Sequence, residues 1–430
     1  MFQYQPNDQN YWNICCHKAT KCTQDINTQV AIIGGGIAGL SAAQAFAAKG
    51  KKVTLLEQYY CGSGATGKAG GFITPNAELS FLDISHKKDI NAAKNIWNFI
   101  NNGLEKIRSN ISNNGFSCNY KNDPGLFVAT CNRTLKNLLK EYEHIQKLGY
   151  SSDFFDAQQI QSIIGTKDYY GGMTYNNSFG INTHAYCQEL KKYLITQDVD
   201  IFEESPVLSI DNHTLTTPHA KITADFIIVC VDKFLPKFNI LPEKIHHIQN
   251  FVIISEQLTD QIIQKIFPQK SYMVWDSHLI YNYFRPTHDN RIILGGGDLI
   301  SIYSTEEKHN YIRGYKKLAN YFSKTFPQIK INFEYQWPGQ IGISKDLGPI
   351  AGPDKKYPHI YYITGSAGLS IATALATYSQ EHLLENRRDL DKYFDPYRKY
   401  FINGITQKLL GKKLSFALNN FMVQQTLGCF

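Results

Sequence analysis

Apolar residues are distributed along this 430-residue chain in three textures. The first is a short, mainly apolar run, at residues 30–33, 53–56 and 224–231, broken only by Thr54 and Asp225. Runs this short, bounded by Gly or polar residues, predict strands covered on both faces in a parallel sheet. The second is a helical period. Ile90, Ala93, Ile96, Trp97, Ile100 and Leu104 fall on one stripe of a helix expected over 85–112. Further helices are expected at 40–49, which is Ala-rich and free of Gly and Pro, and at 132–148, 156–164, 183–197, 306–325 and 370–385. The third is an alternation of apolar and polar positions at 251–254, 279–284 and 291–294, which predicts an antiparallel sheet. Strands at 120–130, 199–202, 204–210 and 360–364 complete the expected elements. Residues 1–28 are polar and irregular, with Tyr11-Trp12 as an anchor onto the body.

Between the first apolar run and the first helix lie Gly34, Gly36 and Gly39, in the spacing G-x-G-x-x-G. Gly34 permits a tight strand-to-helix turn, Gly36 lets a pyrophosphate approach the backbone, and Gly39 lets the helix pack on the strand. The helix N-terminus offers free N–H groups and partial positive charge to phosphate. Glu57 ends the second apolar run about 20 residues on, where an acid accepts hydrogen bonds from an adenosine ribose. Its carboxylate argues against a ribose 2′-phosphate, leaving NAD and FAD open. A second strand, glycine turn and helix at 360–385 lies more than 300 residues later. Residues 61–71 carry five glycines with Ser63, Thr66 and Lys68, a loop able to follow a cofactor closely.

Composition excludes several classes. A hydrophobic fraction of 43% and a charged fraction of 19% belong to a folded globular chain. No apolar run approaches the ~18 residues that a transmembrane helix needs, and the first residues carry no secretory pattern. A soluble, cytoplasmic protein is expected. Cys15, Cys16 and Cys22 cluster with His17, but the adjacent pair makes a poor metal site, and the nine cysteines are read as free thiols in a reducing compartment. The net charge of +7 is concentrated at the end. Residues 386–430 hold eight Lys or Arg against three Asp, a net of +5, so the nearly neutral body offers no nucleic-acid groove. The tail is either a helix docked on its own protein or a weak peripheral membrane contact, since Phe401, Ile405, Leu409, Leu410 and Phe416 accompany its charges.

Taken together, Tyr11-Trp12, residues 33–40, the loop Gly64-Ala65-Thr66-Gly67-Lys68-Ala69-Gly70-Gly71, residues 283–286 and 291–296, residues 337–346 and residues 365–368 resemble the D-amino acid oxidase/glycine oxidase superfamily of FAD enzymes, in its gamma-glutamylputrescine oxidase-like branch. The loop and the late Gly342-Ile343-Ser344-Lys345-Asp346 segment are its most specific features. The resemblance implies an α/β fold. A Rossmann-like FAD-binding domain would be built from 1–84, 151–240 and 336–386. An inserted α+β substrate domain on an antiparallel sheet would be built from 85–150 and 241–335, followed by a basic helical tail at 387–430.

It also implies the site. Gly34, Gly36, Ile37, Ala38 and Gly39 would hold the pyrophosphate, and Glu57 with Gln58 the adenosine ribose. Val207, Cys230 and Val231 would meet the adenosine. Gly64, Ala65, Thr66, Lys68, Gly70 and Gly71 would run past the flavin, closed over by Gly342, Gly365, Ser366, Gly368 and Leu369. Covalent attachment in some relatives uses a His in the early loop or a Cys in the late segment. Lys68 stands near the former position and no Cys lies between residues 337 and 352, so noncovalent FAD is expected. The late turn reads Ala367-Gly368-Leu369-Ser370 where the branch usually has Ser-Gly-His-Gly, and Arg291 stands in the region of the oxygen-activating Lys of sarcosine oxidase-like relatives.

The implied reaction is oxidation of an amine C–N bond by hydride transfer to flavin N5, with the imine hydrolysing and O₂ or a quinone taking the electrons. No residue is identified as a firm catalytic group. Arg285, whose guanidinium fork matches a carboxylate, Tyr281 and Tyr283 are the substrate candidates, with Trp275 and Trp337 as aromatic walls and no metal expected. An NAD-only dehydrogenase would leave the glycine-rich loop and the second turn without a task. A flavin-binding protein without turnover remains the alternative from another class.

Overall fold

The strand Ile26–Ile33 is the centre of the first sheet. Its last four residues are all buried apolar side chains, which suits a strand covered on both faces. In this computed structural model, which describes residues 7–12, 20–76, 78–278, 280–297, 312–365 and 368–424, it pairs in parallel with Val53–Leu56 on one side. That strand pairs in parallel with Asp200–Phe202. On the other side lies Lys221–Val229, with Phe226 opposite Val30, and that strand pairs in parallel with Ile360–Thr364. The antiparallel strands Ser209–Asp211, Thr214–Thr216 and Ile350–Pro353 bring the described sheet to eight. Helices Ile37–Ala47, Ile90–Asn114 and Leu369–Glu385 pack on one another beside it. Gly103 makes the closest approach possible. A Cβ there would stand 2.9 Å from that of Ala374, so a larger residue would push the two long helices apart.

A second sheet of nine strands is mostly antiparallel. Its order runs from Asn7–Asp8 through Phe333–Ser344, Ile245–Ser255, Ile292–Gly297, Tyr283–Pro286, Met273–Asp276, Gly125–Ala129 and Gly171–Tyr175 to Phe154–Asp156. Two of its pairings are parallel, Met273–Asp276 with Gly125–Ala129 and Asn7–Asp8 with Phe333–Ser344. Helix Ile312–Thr325 covers one face through Tyr315, Leu318 and Phe322. Trp12 anchors the N-terminal segment as expected. It is buried, meets Trp337 edge to face, and donates its indole N–H to Ala69 O (2.9 Å).

The element boundaries correct several expectations. Residues 151–175 and 336–344 belong to the antiparallel sheet, not to the parallel one, because their backbone pairing is with Gly125–Ala129 and Ile245–Ser255. Helix Ile90–Asn114 packs on the helices of the parallel sheet, although it falls in the segment assigned to the substrate domain. The helix expected from residue 85 is divided in two. Ser80 and Asp83 form a capping box for Phe81–Lys87, and the Asp89 carboxylate starts Ile90–Asn114 by accepting from the Ala92 N–H (2.8 Å). Cys22, Cys61, Cys118, Cys187 and Cys230 are free and buried, but Cys131 is disulfide-bonded, which corrects the reading of the cysteines as thiols throughout. Cys15, Cys16 and His17 lie outside the described residues. Among those residues, no helix is long and apolar enough to cross a membrane.

The tail both docks and exposes apolar surface. Arg398 holds the Asp346 carboxylate through two donors (2.9 and 2.8 Å), and Asn420 Nδ2 donates to Lys345 O (2.7 Å). Phe416 is buried beside Ile343 and Leu347. Phe401, Ile405 and Leu409, in contrast, are 80%, 78% and 83% exposed.

Candidate active site

A cavity of about 600 Å³ lies at the carboxyl ends of the parallel strands. Ile33, Leu56, Cys230 and Thr364, which end or directly follow those strands, form one wall, and Val252, Trp275 and Tyr283 of the second sheet form another. Strand ends of an open parallel sheet leave backbone groups and helix starts unpaired, which is why ligands collect there.

Gly34 turns the chain at φ +105°, a backbone region that a Cβ disfavours, and its N–H donates to Leu56 O (2.8 Å). The turn delivers helix Ile37–Ala47 with Gly36 as N-cap, no side-chain cap bond and no acid in its first turn. Thr66 Oγ1 accepts from the Ile37 N–H (3.2 Å). Helix Leu369–Glu385 opens on the same cavity. Its N-cap Gly368 also lacks a side-chain cap bond, and its first turn holds no acid. Two long helices therefore start on one space from glycine N-caps with no acid in the first turn, an arrangement that attracts anions. Ser370 Oγ fixes the second start by donating to Thr74 O (2.7 Å).

Glu57 is buried at the end of the second strand. Its Oε2 accepts from the Gly35 N–H (2.6 Å) and its Oε1 from the Tyr59 N–H (2.9 Å). Burial raises its carboxyl above the usual range, against the lowering effect of those N–H groups. Asp232 behaves similarly at the next strand end. Burial raises it, while Gly342 (N to Oδ2, 2.9 Å) and Gly365 donate N–H groups that lower it.

Of the residues singled out in the sequence, Gly34, Gly36, Ile37, Ala38, Glu57 and Gln58 line the cavity. So do Gly64, Ala65, Thr66, Lys68, Gly70 and Gly71, together with Val207, Cys230, Val231, Gly368, Leu369, Tyr281 and Tyr283. Gly39 does not; it packs under the turn against the Gly34 carbonyl. Gly342 and Gly365 are absent from the lining and donate their N–H groups to Asp232, which does line it. Ser366 lies outside the described residues. Trp275 lines the space, whereas Trp337 is buried behind it and donates to Lys68 O (3.0 Å).

Arg285 is corrected most clearly. It is 2% exposed and absent from the lining. Its Nε donates to Gly70 O (2.8 Å), Nη2 to Ile181 O (2.7 Å) and Nη1 to Pro286 O (3.3 Å), so the fork holds the glycine-rich loop against the second sheet. Burial without an ion pair lowers its pKa to about 10.

The end of the cavity beyond Gly70 is aromatic. Tyr283 meets Phe72 edge to face at 5.2 Å and Tyr281 at 6.3 Å, and Trp275 stacks on Phe127 at 5.7 Å. The sequence reading missed Glu78, which lines this end and accepts from Tyr281 OH at Oε1 (3.1 Å). Burial raises its pKa to about 7. The only signal was an acid in a segment of few charges directly after the double glycine. Asp276 also lines this end, but it is saturated by the Asn282 amide and backbone N–H and by His278.

Residues 29–379 match the family described as DAO, FAD dependent oxidoreductase. The chain is similar to the probable oxidoreductase OrdL of Haemophilus influenzae, with 27% identity over 370 residues and 82% of each chain covered. It is also similar to the gamma-glutamylputrescine oxidoreductase of Escherichia coli, with 27% identity over 354 residues and 80% of each. Among solved structures, L-proline dehydrogenase from P. horikoshii superposes with a TM-score of 0.74 at 18% identity, covering 87% of this chain and 98% of that one. Glycine oxidase from Geobacillus kaustophilus gives 0.72 at 15% identity, covering 86% and 98%. At these identities the two structures speak for the fold.

Proposed function

The chain belongs to the DAO family of FAD-dependent oxidoreductases, and from that premise we propose that it oxidises a carbon–nitrogen bond of an amine or amino acid, with FAD held noncovalently. One observation carries the reading: two helix N-termini with glycine caps and a strand-end carboxylate line the same cavity as a wall of Phe72, Trp275, Tyr281 and Tyr283. The donor set fits a flavin dinucleotide. The helix starts at Gly36 and Gly368 suit its diphosphate and the electron-rich edge of its ring. Glu57, which lines the cavity while accepting two backbone N–H groups, suits a ribose hydroxyl. Bound FAD supplies the hydride acceptor. The chain supplies the rest. The Gly64–Gly71 loop, braced by Arg285, sets the depth of the cofactor site, and the walls of Tyr281, Tyr283, Phe72 and Trp275 exclude water and orient the amine.

Gamma-glutamylputrescine, a small amino acid and an N-methylated amine are the candidate substrates. Purified protein should be yellow and release FAD on denaturation. An anaerobic panel of these amines should then bleach the flavin with at least one member. Colourless protein that FAD cannot reconstitute ends the reading, and coloured protein that no amine bleaches reduces it to flavin binding.

A second reading concerns the electron acceptor. Residues 396–430 contain no Asp or Glu. Leu414, Leu418, Phe421 and Met422 form an exposed stripe on Lys412–Gln424 beside the nearly bare Phe401, Ile405 and Leu409, with Lys399, Lys408 and Lys413 exposed among them. Such a surface suits an anionic bilayer and a dehydrogenase that reduces a membrane quinone. Cosedimentation with anionic vesicles, lost in Lys408→Glu/Lys413→Glu, together with faster turnover on a quinone analogue than on O₂, is expected on that reading. Self-association without vesicle binding rejects it.

A further inference from the structure

We propose that Glu78 receives a positively charged group of the substrate remote from the bond that reacts, so that the preferred substrate is a dication such as a diamine and not an α-amino acid. The inference deepens the function proposed above and rests on it for the reacting end only.

Glu78 is unlike the other acids of the cavity. Asp83 is held by its capping box with Ser80, Asp232 by Gly342, and Asp276 by Asn282 and His278. Glu78 receives one hydrogen bond, from Tyr281, and its Oε2 meets no donor among the described residues. No cation there faces it either, which leaves burial to raise its pKa to about 7. A carboxylate serving only the fold is poorly placed with half its lone pairs unused inside a cavity.

The surroundings select for positive charge. The ring of Tyr281 leans on Glu78 through its hydroxyl, and Tyr283, Phe72 and Trp275 continue the wall. Electron-rich ring faces beside a carboxylate attract alkylammonium groups. The guanidinium that would have recognised an α-carboxylate, Arg285, is committed to the carbonyls of Gly70 and Ile181.

The order of groups separates the two ends of the substrate. Gly70, on the loop assigned to the cofactor, abuts the ring of Tyr283; Tyr283 abuts Tyr281; and Glu78 lies beyond the Tyr281 hydroxyl. The loop thus meets the aromatic wall at Tyr283 and the carboxylate meets it at Tyr281, which suits a distal charge.

The test uses the FAD-loaded protein and two probes that undergo no turnover, hexamethonium and hexyltrimethylammonium, measured by calorimetry. The parent should bind the dication about tenfold tighter or more, and Glu78→Gln should lose that margin while binding the monocation equally well. Glu78→Asp should keep part of it. With oxidisable amines, Glu78→Gln should raise KM for a diamine about tenfold more than it raises KM for the matching monoamine. Equal affinity of the parent for both probes overturns the proposal, as does an equal loss for diamine and monoamine in Glu78→Gln. Selective probe binding without bleaching by any amine upholds the cation site while rejecting amine oxidation, so the two failures are distinct.

Discussion

Arg285 has the opposite of the role that its residue type suggests. An arginine in a candidate substrate strand reads as a carboxylate receptor, yet its partners are backbone carbonyls 215 and 104 residues away. Removing the fork leaves those carbonyls without donors in a buried place, a cost of roughly 2–4 kcal/mol at one to two kcal/mol for each. Arg285→Met should therefore lower the melting temperature and weaken FAD retention, read by thermal unfolding and by fluorescence titration of released FAD, while leaving the order of preference among amines unchanged. A variant that keeps its stability but loses amino acids selectively would return Arg285 to the substrate. Glu78 carried no such flag in the sequence, because an acid is conspicuous only once its neighbours are known to be aromatic and its second oxygen is known to meet no donor among the described residues.

At the scale of elements, the helix Phe81–Lys87 is begun by a residue from outside it. Glu141, on the helix Asn132–Lys147, accepts the N–H groups of Phe81 (3.0 Å) and Leu82 (2.7 Å) and sits beside Tyr175 OH (3.4 Å). Burial raises its carboxyl from an ordinary 4.5 to about 7, despite those N–H donors. The folded state thus holds this proton more tightly than the unfolded chain. The stability that the protonated group contributes is complete below pH 4.5 and is lost as pH rises through about 7. Relative to Glu141→Gln, the parent should lose on the order of 3 kcal/mol across that window, measured as denaturant midpoints at several pH values. A constant difference would place the Glu141 proton elsewhere. The capping boxes at Ser80 and Asp156 were readable locally, since both partners lie within three residues. The Glu141 cap was not, because its partners are 60 and 59 positions distant.

For the whole molecule, the cavity is the seam between the two sheets, since Cys230 and Thr364 face Val252 and Trp275 across it. A ligand that fills the seam stabilises both sides together, by about 2.7 kcal/mol when present at about a hundred times its Kd. Stripping FAD should lower the melting temperature and separate the unfolding of the two sheets, and restoring FAD should reverse both. Calorimetric traces of apo and reconstituted protein that coincide would show that the cofactor bridges nothing.

The sequence by itself determined what is encoded over a few tens of residues. Residues 30–57 specify strand, glycine corner, helix, second strand and terminal acid through backbone needs alone, and the structure has Ile26–Ile33, Ile37–Ala47 and Val53–Leu56 there. Residues 360–385 specify the second corner in the same way. The tertiary structure alone decided which sheet received residues 151–175 and 336–344, which glycines face the cavity and which stand behind it, and where Arg285 and Glu78 direct their charges. The reason is physical. Turn geometry and apolar runs act between neighbours in the chain, whereas strand pairing, burial and the partner of a buried charge are fixed by residues some forty to two hundred positions away.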